Sequence, residues 1–388
     1  MLRLIIRRML VAIPMLLVCS VLVFVLVANA GDPLEALRGR PNSQQAIAQR
    51  TATLHLNKPI FERYWLWFSK MLHGDFGIDN KGLRIGPQLW RAMGTTLQIV
   101  LLSTILAVCL GIAVGVISAV RQYSFFDYSA TFVSFLFYAM PVFWFAVLLK
   151  VFGAIEFNNW LENPGIGTVG FLLIGLLGAG FTSMLFGFKR TVSKRRRLIA
   201  GIAGFAGTVL VCLLVDRFLA DRTYFRWIGT VNTTDPRFAH QGFWPRLGDH
   251  LGHLLLPVTT LAVISYAGYS RFTRASMLET LSADYVRTAR AKGVSERAVI
   301  FKHAFRTALI PIVTVVALDF GAIFGGAIIT ETVFSIQGMG KLFREALQKD
   351  IDPNKAMAYL IVTAINVVVF NLIADIIYAK LDPRIRHE

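Results

Sequence analysis

Residues 284–311 read DYVRTARAKGVSERAVIFKHAFRTALIP and connect two apolar stretches, at 254–277 and 309–330. The connecting segment is amphipathic and cationic, with a single glycine near its middle. Tyr285–Lys292 is rich in helix-forming residues, and Gly293 is a natural helix stop that allows a sharp change of direction. Ser295 followed by Arg297–Phe305 predicts a second helix with a capped start. The segment is therefore predicted to form two helices on either side of Gly293, parallel to a membrane surface.

Apolar stretches dominate the rest of the chain. A transmembrane helix needs about 20 predominantly apolar residues. About eight stretches qualify: 9–28, 96–119, 128–152, 168–188, 198–219, 254–277, 309–330 and 356–379. The composition agrees, because 16% of the 388 residues are charged, whereas a soluble domain carries about 25%. The first stretch is longer than the roughly 7–15 residues of a cleaved signal peptide, so it is expected to stay as a helix. These patterns predict an all-α polytopic membrane protein.

Basic residues are distributed unevenly among the segments that join the apolar stretches. The net charge is +17, from 40 Lys and Arg residues against 23 Asp and Glu residues. If the N-terminus is cytoplasmic, the segments at 189–197 and 279–306 and the tail from Lys380 are cytoplasmic and strongly basic. Membrane proteins carry such an excess on their cytoplasmic loops. The charge pattern predicts that both termini are cytoplasmic, and it forms no separate basic domain that would indicate a nucleic-acid-binding protein.

The order of residues in the cationic segment is more specific than its charge, since any cytoplasmic loop of a membrane protein can be basic. Asp284–Gly293 and His303–Pro311 resemble the EAA loop of binding-protein-dependent ABC importer permeases, specifically the B-type subunit of dipeptide and oligopeptide permeases. Further matches lie at Leu56–Pro59, Gly74–Gly77, Met140–Trp144, Leu255–Pro257, Arg271–Glu279, Glu331–Ser335, Gly338–Gly340 and Leu381–Arg386. The sequence departs from the broader pattern at Arg287-Thr288-Ala289, where Glu-Ala-Ala is usual, and at Ile336-Gln337, where Trp-Pro is usual.

The resemblance implies the type I permease fold of ABC importers, in the bacterial cytoplasmic (inner) membrane. This family normally has six membrane spans, so the stretch at about 168–219 is interpreted as an inserted helical hairpin, which brings the number to about eight. The expected organisation is a first helix with a long extracytoplasmic loop at 1–93, followed by a permease domain at 94–388. That domain would contain the hairpin and a cytoplasmic coupling loop at about 279–311.

The resemblance also suggests three sets of functional residues. The residues expected to contact a cytoplasmic ATPase are Asp284, Tyr285, Arg287, Thr288, Ala289, Arg290, Ala291, Lys292 and Gly293. The candidates for contact with an extracytoplasmic binding protein are Tyr64, Trp65, Gly74, Asp75, Phe76 and Gly77. The candidates for the translocation pathway are Asp319, Met140 and Pro141. An unpaired charge in the middle of an apolar stretch is costly, and two roles for Asp319 stay open, a contact with the substrate or a structural hydrogen bond.

The function implied is that of a non-catalytic permease subunit of an ATP-driven importer, most simply for di- or oligopeptides. The expected partners are a second, homologous permease subunit, two cytoplasmic ABC ATPases, an extracytoplasmic substrate-binding (lipo)protein and membrane lipids. The ATPases would bind the ATP, and neither a cofactor nor a metal site is expected in this chain, because its histidines are scattered and its three cysteines lie in apolar stretches. Nickel chelates, glutathione and oligosaccharides are alternative substrates within the family. A secondary transporter is a further alternative, supported only by Asp319.

Overall fold

The computed structural model describes residues 2–38, 43–162, 167–187, 194–220, 228–348 and 351–381, and their regular structure is helical. The first part of the chain forms α1 (Leu2–Ala28), α2 (Glu35–Arg38), α3 (Gln44–Thr53), α4 (Ile60–Leu72), α5 (Ile85–Val120), α6 (Phe125–Ala139), α7 (Val142–Lys150), a π-helix (Val151–Glu156) and α8 (Phe157–Glu162). The second part forms α9 (Thr168–Gly187), α10 (Lys194–Ala220), α11 (Phe243–Ser282), α12 (Asp284–Ala291), α13 (Glu296–Ala298), a π-helix (Val299–Ala304), α14 (Phe305–Val333), α15 (Met339–Ala346) and α16 (Pro353–Leu381).

The helices follow the apolar stretches of the sequence. Within the described residues, five helical segments are long and apolar enough to cross a membrane: Ile6–Ala28, Ile85–Val120, Val142–Trp160, Phe243–Ser282 and Pro353–Ile373. Two shorter apolar segments, Gly170–Gly180 and Leu198–Leu214, lie in α9 and α10, and the stretch at 309–330 lies in α14. The stretch predicted at 128–152 is interrupted, because α6 ends before Met140 and α7 starts after Pro141. The structure is therefore the predicted all-α polytopic architecture.

Two of the long helices, α5 and α11, pack closely because glycines line one of them. Gly111 lies against Tyr269 and Gly115 against Thr273, so that the two helices run in the same direction at this contact. A methyl group at either glycine would collide with the side chain or backbone of α11. Such small-residue contacts let helix backbones approach each other within a membrane. The pair forms the centre of the bundle onto which the coupling segment is attached.

The chain divides into two compact units, residues 1–149 with 231–388, and residues 150–230. The second unit contains the α9–α10 hairpin, whose helices meet through small residues. Gly178 packs on Thr208 and Gly204 packs on Thr182, and the Thr182 hydroxyl donates a hydrogen bond of 3.0 Å to the Ala200 carbonyl. These contacts join the two apolar helices of the hairpin. A role for the hairpin does not follow from them.

The end of the first unit that is predicted to be extracytoplasmic has its own apolar core, which we name the outer apolar core. The Phe24 ring of α1 lies 5.5 Å from that of Tyr64 and 5.7 Å from that of Trp67 on α4. The Tyr64 hydroxyl is hydrogen-bonded to that of Ser20 at 2.9 Å. The buried side chains of Phe76 and Met357 complete this cluster. The long loop after α1 is therefore folded onto the ends of α1, α5 and α16.

Candidate functional site

Helix α12 lies against the transmembrane bundle through one narrow apolar face. Val286 and Ala289, three residues apart and therefore on the same side of the helix, are its two buried residues. They pack in a cluster with Met277 of α11, Ala308 of α14, and Val116 of α5. A helix of eight residues is too short to be stable alone in water, so this packing keeps α12 folded and fixed to three long helices.

A glycine-dependent cap ends α12. Gly293 has a φ of +75°, a conformation that glycine adopts without the penalty of other residues. The Val294 amide donates to the Ala289 carbonyl at 3.2 Å and the Gly293 amide to the Arg290 carbonyl at 3.0 Å. These two bonds form the Schellman pattern, and Val294 adds the apolar contact that accompanies it by packing against the cluster of Ala289. The sequence-based prediction of a helix stop at Gly293 is confirmed.

An ion pair closes the turn around Gly293. The Arg290 guanidinium donates to the Glu296 carboxylate at 2.8 Å and 3.3 Å. This hydrogen bonding lowers the pKa of Glu296 and raises that of Arg290. Both side chains are exposed to solvent, where such pairs add little to the stability of a protein. The pair therefore fixes the shape of the turn more than it stabilises the whole protein.

The predicted second helix differs from expectation in two ways. Ser295 is the residue before α13, but its side chain makes no capping hydrogen bond. The segment Arg297–Phe305 is also not a separate helix, because α13, the π-helix Val299–Ala304 and α14 follow one another without a break. The chain leaves the turn directly into α14, which contains the predicted span at 309–330, and the buried Val299 and Ala304 continue the apolar face towards it. The turn is therefore joined to α14 by continuous helix.

The outer face of α12 is exposed and carries the residues expected to contact an ATPase. The exposed members of the predicted set are Asp284, Tyr285, Arg287, Thr288, Arg290, Ala291, Lys292 and Gly293. Arg287 lies 3.6 Å from Asp284 at the start of the helix. Ala289 alone of the set is buried, at 7% exposure, and it packs α12 against the helix bundle. We name the exposed set the cationic cap. It offers hydrogen-bond donors and the aromatic ring of Tyr285 to a partner. It contains no pair of residues that could act as a nucleophile and its general base.

The structure separates the predicted contacts for a binding protein into exposed and buried residues. Trp65, Gly74 and Asp75 are exposed. Phe76 is buried and Tyr64 is half-buried within the outer apolar core, so these two side chains hold the loop in place. Gly77 has a φ of +79°, and its amide donates to the Asp75 carboxylate at 2.9 Å. The exposed three remain the predicted contacts of the set.

The predicted pathway residues are not brought into one cluster. Met140 and Pro141 form the break between α6 and α7, where Met140 has extended backbone angles. Asp319 lies on α14, but its side chain is outside the described part of the structure. The two roles considered for Asp319 therefore both stay open.

Two polar contacts were not predicted from the sequence. The Thr96 hydroxyl of α5 donates to the fully buried Glu331 carboxylate at 2.6 Å and accepts from the Met339 amide at 2.8 Å, while the Lys341 amide donates to Glu331 at 3.0 Å. The signal for this contact was an acidic residue directly after an apolar stretch. The second contact involves α6, which follows α5. Arg274 of α11 donates to the buried carboxylate of Asp127 on α6 at 2.7 Å and 2.9 Å. Both contacts are structural ties between long helices.

Metal ligands are not clustered within the described residues: no group of three or more His, Cys, Asp or Glu side chains there could hold an ion. The three cysteines, Cys19, Cys109 and Cys212, are free. Among the described residues, the candidate site is therefore a binding surface, the cationic cap, which the sequence pattern had already indicated.

Comparison with known proteins identifies relatives along the whole chain. Residues 111–387 match the family described as "Binding-protein-dependent transport system inner membrane component". Residues 1–84 match "Binding-prot-dependent transport system membrane comp, N-term". The oligopeptide transport system permease protein AppB of Bacillus subtilis (strain 168) is 34% identical over 387 residues, covering 99% of each chain. The dipeptide transport system permease protein DppB of Escherichia coli (strain K12) is 32% identical over an alignment of 391 residues that covers all of both chains. The oligopeptide transport system permease protein OppB of Mycobacterium tuberculosis (strain H37Rv) is 32% identical over 382 residues, 98% of each chain.

Proposed function

The chain belongs to the family of binding-protein-dependent transport system inner membrane components, as a permease subunit of an ABC importer, and we propose that it imports di- and oligopeptides as half of a heterodimeric pore. The peptide substrate is supported by the names of its relatives, which are dipeptide and oligopeptide permeases. The membrane is the bacterial cytoplasmic (inner) membrane, and both termini are on its cytoplasmic side.

The construction of the cationic cap carries this proposal. The cap is exposed, while the opposite face of α12, formed by Val286 and Ala289, is packed in one cluster with residues of α5, α11 and α14. The Ser276 hydroxyl of α11 also donates to the Ala308 carbonyl of α14 at 3.0 Å, which ties together the two helices that enter and leave the cap. A force applied to the cap would therefore move three transmembrane helices as one body.

The energy for transport comes from partner subunits in this proposal. Two cytoplasmic ABC ATPases bind and hydrolyse ATP, and one of them holds the cationic cap in a groove with complementary acidic side chains. Closure of the ATPases pulls the cap, and the attached helices rock against those of the second permease subunit. Rigid-body movements of this kind switch a pathway between its two open states. The present chain contributes the cationic cap, the helices attached to it and half of the pathway, and it catalyses no step.

The test is ATP-dependent uptake by the assembled importer in proteoliposomes. The two permeases and two ATPases are reconstituted with ATP in the compartment of the ATPases and the substrate-binding protein of the same transport system opposite. We expect uptake of a radiolabelled tripeptide that requires the binding protein, stops with a non-hydrolysable ATP analogue and survives a protonophore. Uptake that continues without ATP and collapses with the proton gradient would show a secondary transporter instead. Uptake of a nickel chelate, glutathione or an oligosaccharide but no peptide would refute the substrate class.

A further inference from the structure

A cleft lies on the side of the molecule predicted to be extracytoplasmic. It has a volume of about 610 Å³, and its walls come from the end of α3, from α4, from the turn after α4 and from the starts of α5 and α16. Its apolar lining includes Phe24, Trp67 and Met357, which are buried in the outer apolar core. Because that core supports the walls, the cleft is a fixed feature of the first unit.

The charges along this cleft are strongly unbalanced. Arg63, Lys70 and Arg84 line it together with His55 and His73, whereas Asp75 is the one acidic residue among the lining residues. The Asp75 carboxylate accepts a hydrogen bond from the Gly77 amide in its own turn. Within the described residues, none of the three Arg and Lys side chains has a carboxylate within 4.0 Å, although other cations of the chain, such as Lys355 with Asp79, are paired.

Two polar atoms in the wall of the cleft also lack a partner. Arg63 Nε and the indole Nε1 of Trp67 are buried without a hydrogen bond among the described residues, and a buried donor without an acceptor is costly. Burial lowers the pKa of the Arg63 guanidinium. The pKa of His55 is lowered by burial and then by the positive charges of Lys70, Lys58 and Arg63. The effect of Lys70, Lys58 and Arg63 on the pKa of His55 agrees with a local excess of positive charge that an anionic partner would relieve.

We propose that this cleft is the socket into which an acidic surface element of the substrate-binding protein inserts when it docks. The inference rests on the proposed function, which supplies a binding protein on this side of the membrane. The volume is sufficient for several side chains and exceeds what one carboxylate or phosphate fills.

The experiment compares two double variants of the full chain in the assembled importer, held in phosphatidylcholine nanodiscs. The first, Lys70→Gln with Arg84→Gln, removes two exposed cations of the cleft. The matched control, Lys81→Gln with Arg91→Gln, removes one Lys and one Arg that are also exposed but do not line the cleft. The probe is the purified binding protein of the same transport system. We expect its Kd to rise about tenfold for the cleft variant at low salt, since two ion pairs are lost, and to change less than twofold for the control.

Salt and charge reversal sharpen the result. The difference between the two variants is expected to shrink as ionic strength rises, because exposed charges are screened. The variant Lys70→Glu with Arg84→Glu is expected to bind the binding protein more weakly still. Acidic residues of the binding protein that crosslink to the cleft are then replaced by basic ones, which should restore binding to this charge-reversed variant. Restored binding would also exclude a folding defect, because the affinity of a misfolded cleft would not depend on the charge of the binding protein.

Three outcomes would overturn the inference. One is an equal loss of affinity in the cleft and control variants, which indicates a general charge effect. Another is an unchanged Kd in the cleft variant while the unmodified importer binds and transports, which leaves the proposed function intact. The third is retention of phosphatidylglycerol by the unmodified chain but not by the cleft variant, with the Kd unchanged, which makes the cleft a lipid site. Failure of the unmodified importer to bind the binding protein or to use ATP would instead reject the proposed function.

Discussion

Gly293 is the residue at which the shape of the cationic cap depends most directly on backbone conformation. Its φ is +75°, and a methyl group built on it meets no atom within 4 Å. The variant Gly293→Ala would therefore introduce only conformational strain, about 1–2 kcal/mol for a non-glycine residue in the left-handed region. We expect normal insertion but reduced association with the ATPases, because relief of that strain distorts the cap. Co-purification of the ATPases with the tagged permease measures the effect.

Gly82 provides the matched control for this variant. It has a φ of +78° and equally open surroundings, but it lies in the turn between Asp79 and Leu83, far along the sequence from the cap. Gly82→Ala should cost the same strain and leave ATPase association unchanged. Equal ATPase association and equal transport in both variants would show that the conformation at Gly293 does not matter for coupling.

The exposed pair of Arg290 and Glu296 gives a second prediction at this scale. The folded-state pKa of Glu296 is lowered by its hydrogen bond to Arg290. Its contribution is therefore present above the unfolded-state pKa and is lost as the pH falls through the lowered folded-state value. At neutral pH, Glu296→Gln should leave the thermal midpoint nearly unchanged but speed amide hydrogen exchange at Gly293 and Val294. The exchanged pair, Arg290→Glu with Glu296→Arg, should restore slow exchange; if the single variant exchanges as slowly as the unmodified protein, the pair does not hold the turn.

At the scale of helices, the contact between Asp127 and Arg274 ties the start of α6 to α11 across 147 residues of sequence. The Asp127 side chain is 3% exposed, so Arg274→Met leaves a buried carboxylate without its partner. Such a loss typically costs about 3–5 kcal/mol. We expect a clearly lowered thermal midpoint for Arg274→Met in detergent. The double variant Asp127→Asn with Arg274→Met should recover most of the loss, and a double variant as unstable as the single one would contradict this account.

Helix positions were predictable from the sequence, whereas their ends and partners were not. Apolar stretches locate helices because a spanning segment must satisfy its backbone internally and face lipid. Hydropathy ends where the bilayer ends, however, so it missed the polar extension of α11 back to Phe243 and that of α5 back to Ile85. The end of α12 at Gly293 was predictable because glycine readily adopts the positive φ that ends a helix. The partner of Arg274 was not, because one sequence contains no information about contacts between distant residues.

For the candidate site, the sequence predicted the residue set but not which members are buried. The resemblance to permeases selected Ala289 and Arg290 equally, and only the packing shows that Ala289 faces the bundle while Arg290 pairs with Glu296. The same limit applies to Phe76, which was grouped with Asp75 although it lies in the outer core. The cationic cleft was missed because its cations come from separate positions along the chain and meet only after folding.

Across the whole molecule, the apolar core at the outer end and the cluster behind the cap are joined by the same helices. α5 contributes Leu89 to the outer core and Val116 to the cluster near the cap. It is held on α11 by Gly111 and Gly115 between those points. A rigid connection of this kind allows a contact at one face to bias the other without a separate signalling path. This coupling requires that the two faces lie on opposite sides of the membrane.

The sidedness can be tested by cysteine labelling of the full chain. Cys19, Cys109 and Cys212 are free, so they are first replaced by alanine, and single cysteines are then placed at Lys81, Arg195 and Lys292, all of them exposed. With a membrane-impermeant maleimide on right-side-out vesicles, Lys81→Cys should react at once and Lys292→Cys only after permeabilisation. Arg195→Cys lies at the start of α10 and should behave like Lys292→Cys if the hairpin crosses the membrane twice. Labelling of Arg195→Cys from outside would place the hairpin on the outer side and remove two of the eight predicted spans. Labelling of both Lys81→Cys and Lys292→Cys from one side would refute the topology on which the cap and the cleft are assigned to different partners.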